Sequence, residues 1–156
     1  MAARTFGIAL VLAALWVAGL SAQGRPLNVS GQRDLDFGTV IAGIPTTVGR
    51  LDPTAGQFIV RGARNTELLI ELTLPTALSG ATGSVALSFG PADGGHGPTS
   101  SVAASMPFDP RAPLTVALPG NGTYYVWLGG TVQPLAQQVP GTYSAAIVLT
   151  ASYTGN

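Results

Sequence analysis

The side chains of this chain that could do chemistry are few, and His96 comes first because it is the only histidine. It stands in Asp93-Gly94-Gly95-His96-Gly97-Pro98. A hydrolytic relay through that imidazole needs a nucleophile on a sharp turn, and no such motif accompanies it. With no cysteine in the chain, one imidazole beside Asp93 falls short of a zinc ligand set. The glycines around it read instead as the tip of a solvated loop. Glu67 and Glu71 are four residues apart on a strand-like run. That spacing separates the carboxylates by roughly 13 Å along one outward face, wide for a glycosidase pair. Asp34 and Asp36 share an outward face but lack the further oxygen ligands that calcium takes. Tyr124, Tyr125 and Trp127 could stack on a sugar, yet beside Val126 and Leu128 side chains of this size favour core packing. No glycine-rich loop opens a helix to cradle a phosphate. The expectation is a protein that is not an enzyme and that uses no cofactor and no metal.

What positions these residues is a series of short strands. The clearest is the last, which a Pro140-Gly141 turn launches and which runs to Tyr153. Tyr143, Ala145, Ile147, Leu149, Ala151 and Tyr153 alternate with Ser144, Ala146, Val148, Thr150 and Ser152. Period two predicts one strand with one buried face. Only three residues follow Tyr153, so this strand is expected to find its second neighbour elsewhere in the chain or in another chain.

Earlier runs repeat the pattern. Leu27 and Val29 share a face near the start, and Asp34 to Val40 alternates acid with Leu35 and Phe37 before Gly43. Gln57–Arg61 follows, then Glu67–Leu74 with Leu68, Ile70, Leu72 and Leu74 inward and Pro75 as its stop. Val85–Phe89 and Leu114–Leu118 alternate again. The stretch from Gly90 to Pro113 reads as a long connection with an irregular strand inside it at Val102–Phe108. Asn121-Gly122 is a hairpin turn. Tyr124–Leu128 is apolar on both sides, as a central strand covered on both faces would be. No stretch beyond the first two dozen residues has a helical period, no interval repeats and no linker divides the chain. An all-β, antiparallel, immunoglobulin-like sandwich of about seven strands is predicted, as one domain over 25–156.

Composition sets the location. Met1-Ala2-Ala3-Arg4 precedes an apolar, uncharged run from Gly7 to Leu20, and small residues follow at Ser21-Ala22-Gln23-Gly24. This is the pattern of a secretory signal over residues 1–22, cleaved near 22–24. The apolar run of 14 residues is shorter than the roughly 20 that span a bilayer, so no membrane insertion is expected after cleavage. The protein is expected to be secreted, in a bacterial periplasm, on a cell surface or outside the cell. Without Arg4, six arginines face seven acids. That balance offers no footprint for nucleic acid. Charged residues are 9% of the chain, against roughly 25% in ordinary soluble domains. So low a charge suggests that some surface is covered in the working state.

Leu35-Asp36-Phe37-Gly38-Thr39-Val40 with Gly43, Gln57–Gly62, Leu72-Thr73-Leu74-Pro75, Leu128-Gly129-Gly130-Thr131-Val132 and Gly141-Thr142-Tyr143 to Tyr153 follow one another in a telling order. In that order the chain resembles the secreted bacterial family called domain of unknown function 4402. That family looks distantly like spore-coat-U-type domains and the pilins of chaperone–usher systems. In those pilins the sandwich lacks a strand, and a neighbour's N-terminal segment fills the groove. The resemblance implies that Tyr143, Ile147, Leu149 and Tyr153 line a strand-addition edge, with Leu27 and Val29 on the donor segment. It implies partners that are other copies or related surface subunits, in a structural or adhesive fibre or coat. A stand-alone secreted binding module, monomeric and with carbohydrate as a candidate ligand, is the alternative, with the N-terminal segment pairing to its own last strand.

Overall fold

A computed structural model of the protein describes residues 25–155, so the expected signal and its cleavage site lie outside the described residues. Thirteen short strands and one 3-10 turn at Val102–Ala104 make up the regular structure of the described residues. All strand pairings are antiparallel. The first sheet runs β1 (Asn28–Arg33), β3 (Gly56–Arg61), β10 (Thr123–Leu128), β7 (Gly94–Gly97), β8 (Met106–Phe108). The second runs β12 (Tyr143–Ser144), β5 (Ala77–Gly80), β6 (Gly83–Ser88), β11 (Gly130–Gln133), β2 (Thr46–Val48). The third is β13 (Val148–Tyr153), β4 (Glu67–Thr73), β9 (Leu114–Ala117). The sheets pack as a β-sandwich. Its strands outnumber the expected seven because β2, β5 and β7 are only three or four residues long. Glycine-rich β7 carries no alternating side chains to announce it.

β10 is the spine. It is the middle strand of the first sheet, and alternation turns Tyr124, Val126 and Leu128 inward. Tyr125 and Trp127 therefore face the other side, their rings stacked 6.0 Å apart. Trp127 is only 1% exposed, so both faces of β10 are covered, as expected for a central strand. Past Leu128 the chain crosses from the first sheet to the second through Gly129. A Cβ there would collide with the Val48 carbonyl, so only glycine passes.

Two apolar clusters fill the sandwich. The first joins the first and third sheets: Val60 and Val126 from one, Leu68, Ile70, Val116 and Leu149 from the other. The second lies between Leu128 of β10 and the second sheet, with Val85, Leu87 and Val132. Of the six positions expected inward on the last strand, Tyr143, Ile147, Leu149 and Ala151 are at least half-buried, whereas Ala145 and Tyr153 are exposed, as are Ser144, Ala146, Val148, Thr150 and Ser152.

Nor is the last strand continuous. The predicted single strand is two, β12 on β5 and β13 on β4. The reason lies in the partner. β4 ends at Thr73, opposite Val148, and β5 resumes only at Ala77. Pro75 stands between them without an N–H to donate, and the edge chain opposite breaks where its ladder breaks. The run Asp34–Val40 is likewise not a strand, although it alternates like one. β1 follows β3 only as far as Arg33 opposite Gln57. Beyond Gly56 the partner turns away. Asp36 N–H then donates to the Thr54 carbonyl (3.0 Å), and Gly38, at φ 62°, bends the chain.

Candidate functional site

Those two failed strands face each other across an open cleft of about 980 Å³. One bank is residues 33–40 with Ala42, the other is residues 138–147. The floor is the second cluster, with Leu78, Val85, Leu87, Leu128 and Val132 lining it. At one end the banks converge, since a Cβ on Gly43 would lie 3.2 Å from Ala136 Cα. At the other, β1 approaches β13.

Each bank is held by its own short-range bonds. Asp36 Oδ1 accepts from Gly38 N–H (2.8 Å), making a local turn. Tyr143 Oη donates to the Val139 carbonyl (2.5 Å) and accepts from Gln138 Nε2 (3.0 Å). Leu35, Phe37, Val40, Tyr143 and Ile147 pack against the floor and remain half-buried. No ladder joins the banks to each other.

The four residues predicted for the edge divide between two places. Tyr143 and Ile147 line the cleft. Leu149 belongs to the first cluster instead. The Tyr153 hydroxyl accepts from Ala63 N–H (2.8 Å) and donates to the Arg25 carbonyl (2.7 Å). Leu27 and Val29, expected on a donor segment, pack against that same first cluster within their own chain. Their strand pairs with β3, with Val29 opposite Val60, and not with the last strand. The cleft residues that sequence reasoning missed are Leu35, Phe37, Val40 and Leu78. The alternation at 34–40 is the signal for the first three, and period two alone reads there as a strand.

The other candidates disperse. His96 is not at a loop tip: it sits in β7, half-buried on the inner face. Its Nδ1 lies 2.9 Å from Tyr124 Oη, and Phe108 meets its ring edge-on. Burial pushes the His96 pKa down and that of the Tyr124 phenol up. Asp93 Oδ2 is spent on Gly90 N–H (2.6 Å). Glu67 and Glu71 are exposed on β4, as expected. Tyr124 faces the opposite side from Tyr125 and Trp127, so the three aromatics form no common platform. Among the described residues no cluster of three or more His, Asp or Glu could hold a metal. No described helix is long and apolar enough to cross a membrane.

The cleft therefore offers an apolar floor between two banks that no ladder joins, with a polar edge from Arg33, Asp34 and Asp36. No family model matches the chain, and neither a curated protein nor a solved structure is detectably similar to it.

Proposed function

We propose that this protein is an exported structural or adhesive subunit of a surface fibre or coat. It accepts an extended segment of another polypeptide, from a further copy or a related subunit, into the cleft between 33–42 and 138–147. The observation that carries this reading is the pair of banks: both alternate like strands, both rest on one apolar floor, and no ladder joins them across the cleft, since 34–42 is in no strand and the only ladder of the other bank is Tyr143-Ser144 on β5. Backbone groups so placed are satisfied by an added strand, and alternate side chains of that strand fill the floor. The secretory pattern at residues 1–22 supports export, and the low charge supports a surface that is covered in use. Leu27 and Val29 already fill the first cluster, so in this reading their strand seals its own subunit and the incoming segment comes from elsewhere.

Against the alternative, a monomeric carbohydrate module, stands the burial of Trp127 and Tyr124, which leaves only the half-exposed Tyr125 for stacking. Sedimentation velocity of the cleaved protein tests the proposal. Larger species are expected as concentration rises, and Ile147→Glu, which puts a charge on the cleft wall, is expected to abolish them with the circular dichroism unchanged. A protein that stays monomeric up to about 1 mM, where binding is worth only about 4 kcal/mol, would sink the subunit reading.

A further inference from the structure

The two ends of the cleft differ in chemistry. Beside Gly31 and Ile147 the lining carries Arg33, Asp34 and Asp36, which are the only Asp, Glu, Lys or Arg in it. Arg33 Nε is committed to the Ala55 carbonyl (2.7 Å). Asp34 and Asp36 are exposed, and neither belongs to the single ion pair of the described residues, Arg111–Asp109. With the Arg33 guanidinium still charged beside these two unpaired carboxylates, this end carries a net charge of −1. The facing bank brings no cation, because no charged residue occurs after Arg111.

The opposite end carries no charge. From Phe37 to Gly49 there is no Asp, Glu, Lys, Arg or His. Ile41 is 63% exposed and Leu135 is 71% exposed there, beside the Gly43–Ala136 convergence. The cleft is thus acidic at one end and greasy at the other. A segment lying in it meets the two ends in a fixed order, which an apolar floor alone would not impose.

Resting on the reading of the cleft as a strand acceptor, we infer that its occupant is a basic-ended strand of another polypeptide. It would be about seven residues long, the span of the bank from Asp34 to Val40. Its alternate side chains are apolar, its residues are uncharged at the Ile41–Leu135 end, and a Lys or Arg lies against Asp34 and Asp36. The apolar positions supply affinity and the terminal cation fixes direction and register, as charged rims do at other interfaces.

The test uses the cleaved protein and three capped peptides that share one Val-Thr-Val-Ser-Val-Thr body. They differ only in an added terminal Arg, Gln or Glu, and each is made with that residue first and with it last. Binding is read by fluorescence anisotropy at low salt. In one of the two placements the Arg peptide is expected to bind about five-fold tighter than the Glu peptide, with Gln between. The order should flatten in high salt and in the double variant Asp34→Asn, Asp36→Asn, which keeps the acceptor for Gly38 N–H. Equal binding of all three peptides overturns the basic-ended occupant and leaves the strand acceptor standing. A charge order that survives in the double variant does the same, because the charge is then read elsewhere. Failure of every peptide to bind overturns both.

Discussion

The two apolar clusters of this sandwich are built from similar side chains and are sealed in different ways. In the first, Val60, Leu68, Ile70 and Val126 are all at or below 1% exposure. The lid is β1, which ladders to β3 and lays Leu27 and Val29 over the seam. Tyr153 pins it by bonding both the Arg25 carbonyl and Ala63 N–H. In the second, Leu128 and Val132 are as deeply buried, but the side chains above them, Leu35, Phe37, Tyr143 and Ile147, are only half covered. Here the corresponding tyrosine, Tyr143, bonds only within its own bank. One cluster has its closing strand in the same chain, and the other lies under an open cleft. Apolar patterning brings a segment to a core, but a ladder partner is what fixes it there as a strand.

The largest difference between the two halves should appear on truncation. Leu68→Ala in the sealed cluster is expected to cost about 2–5 kcal/mol, because a fully buried leucine leaves a cavity that its neighbours cannot close. Ile147→Ala on the cleft wall should cost no more than about 1 kcal/mol, since much of that side chain already meets water. Urea unfolding of both variants reads the contrast. Equal losses would mean that the cleft is as closed as the core, and the distinction would fail.

Adding an atom sharpens the same contrast at a smaller scale. A Cβ on Gly62 would lie 2.6 Å from Tyr153 Oη, 2.9 Å from Leu27 Cδ1 and 3.0 Å from Leu118 Cδ1. Gly62→Ala should therefore push at the lid of the sealed half and cost about 1–3 kcal/mol. A Cβ on Gly56, beside the cleft, would meet only Leu35 and the Leu128 carbonyl at 3.4–3.6 Å. Gly56→Ala should leave the unfolding midpoint nearly unchanged. Similar shifts for both would show that β1 is no more tightly seated than the bank that follows it.

The sealed half was also the more legible from sequence. Glu67–Leu74, Gln57–Arg61 and Tyr124–Leu128 form strands where the sequence pattern puts them, because each is flanked by partners that let local pattern and global pairing agree. The cleft was half legible. Tyr143 and Ile147, expected on an accessible edge, line it, whereas 34–40 alternates like a strand and is none. Alternation reports which side chains seek a core. It carries no information on whether a neighbouring backbone is in reach, and that depended on β3 stopping at Gly56 and on Pro75 interrupting β4–β5. His96 was misplaced for a related reason: the glycines of β7 look like a loop, and only pairing with β10 and β8 makes them a strand.

The smallest effect is on pH, and it too should belong to one half. His96 packs between Phe108 and Tyr124, which adjoin the sealed cluster. Burial holds its pKa below the ordinary value of 6.5. The unfolded chain therefore binds the proton first as pH falls, and linkage makes stability decline once pH drops below about 6.5. Above that value both states are neutral at this site and it contributes no slope. Tyr124 acts in the mirror sense: burial raises its pKa above 10.0, so stability should fall again above that pH. His96→Gln should flatten the acidic limb of a plot of urea midpoint against pH and leave the alkaline limb in place. Peptide binding in the cleft, measured on the same variant, should be unaltered. If removing His96 changes occupancy of the cleft, the two halves are coupled and cannot be treated as separately sealed units.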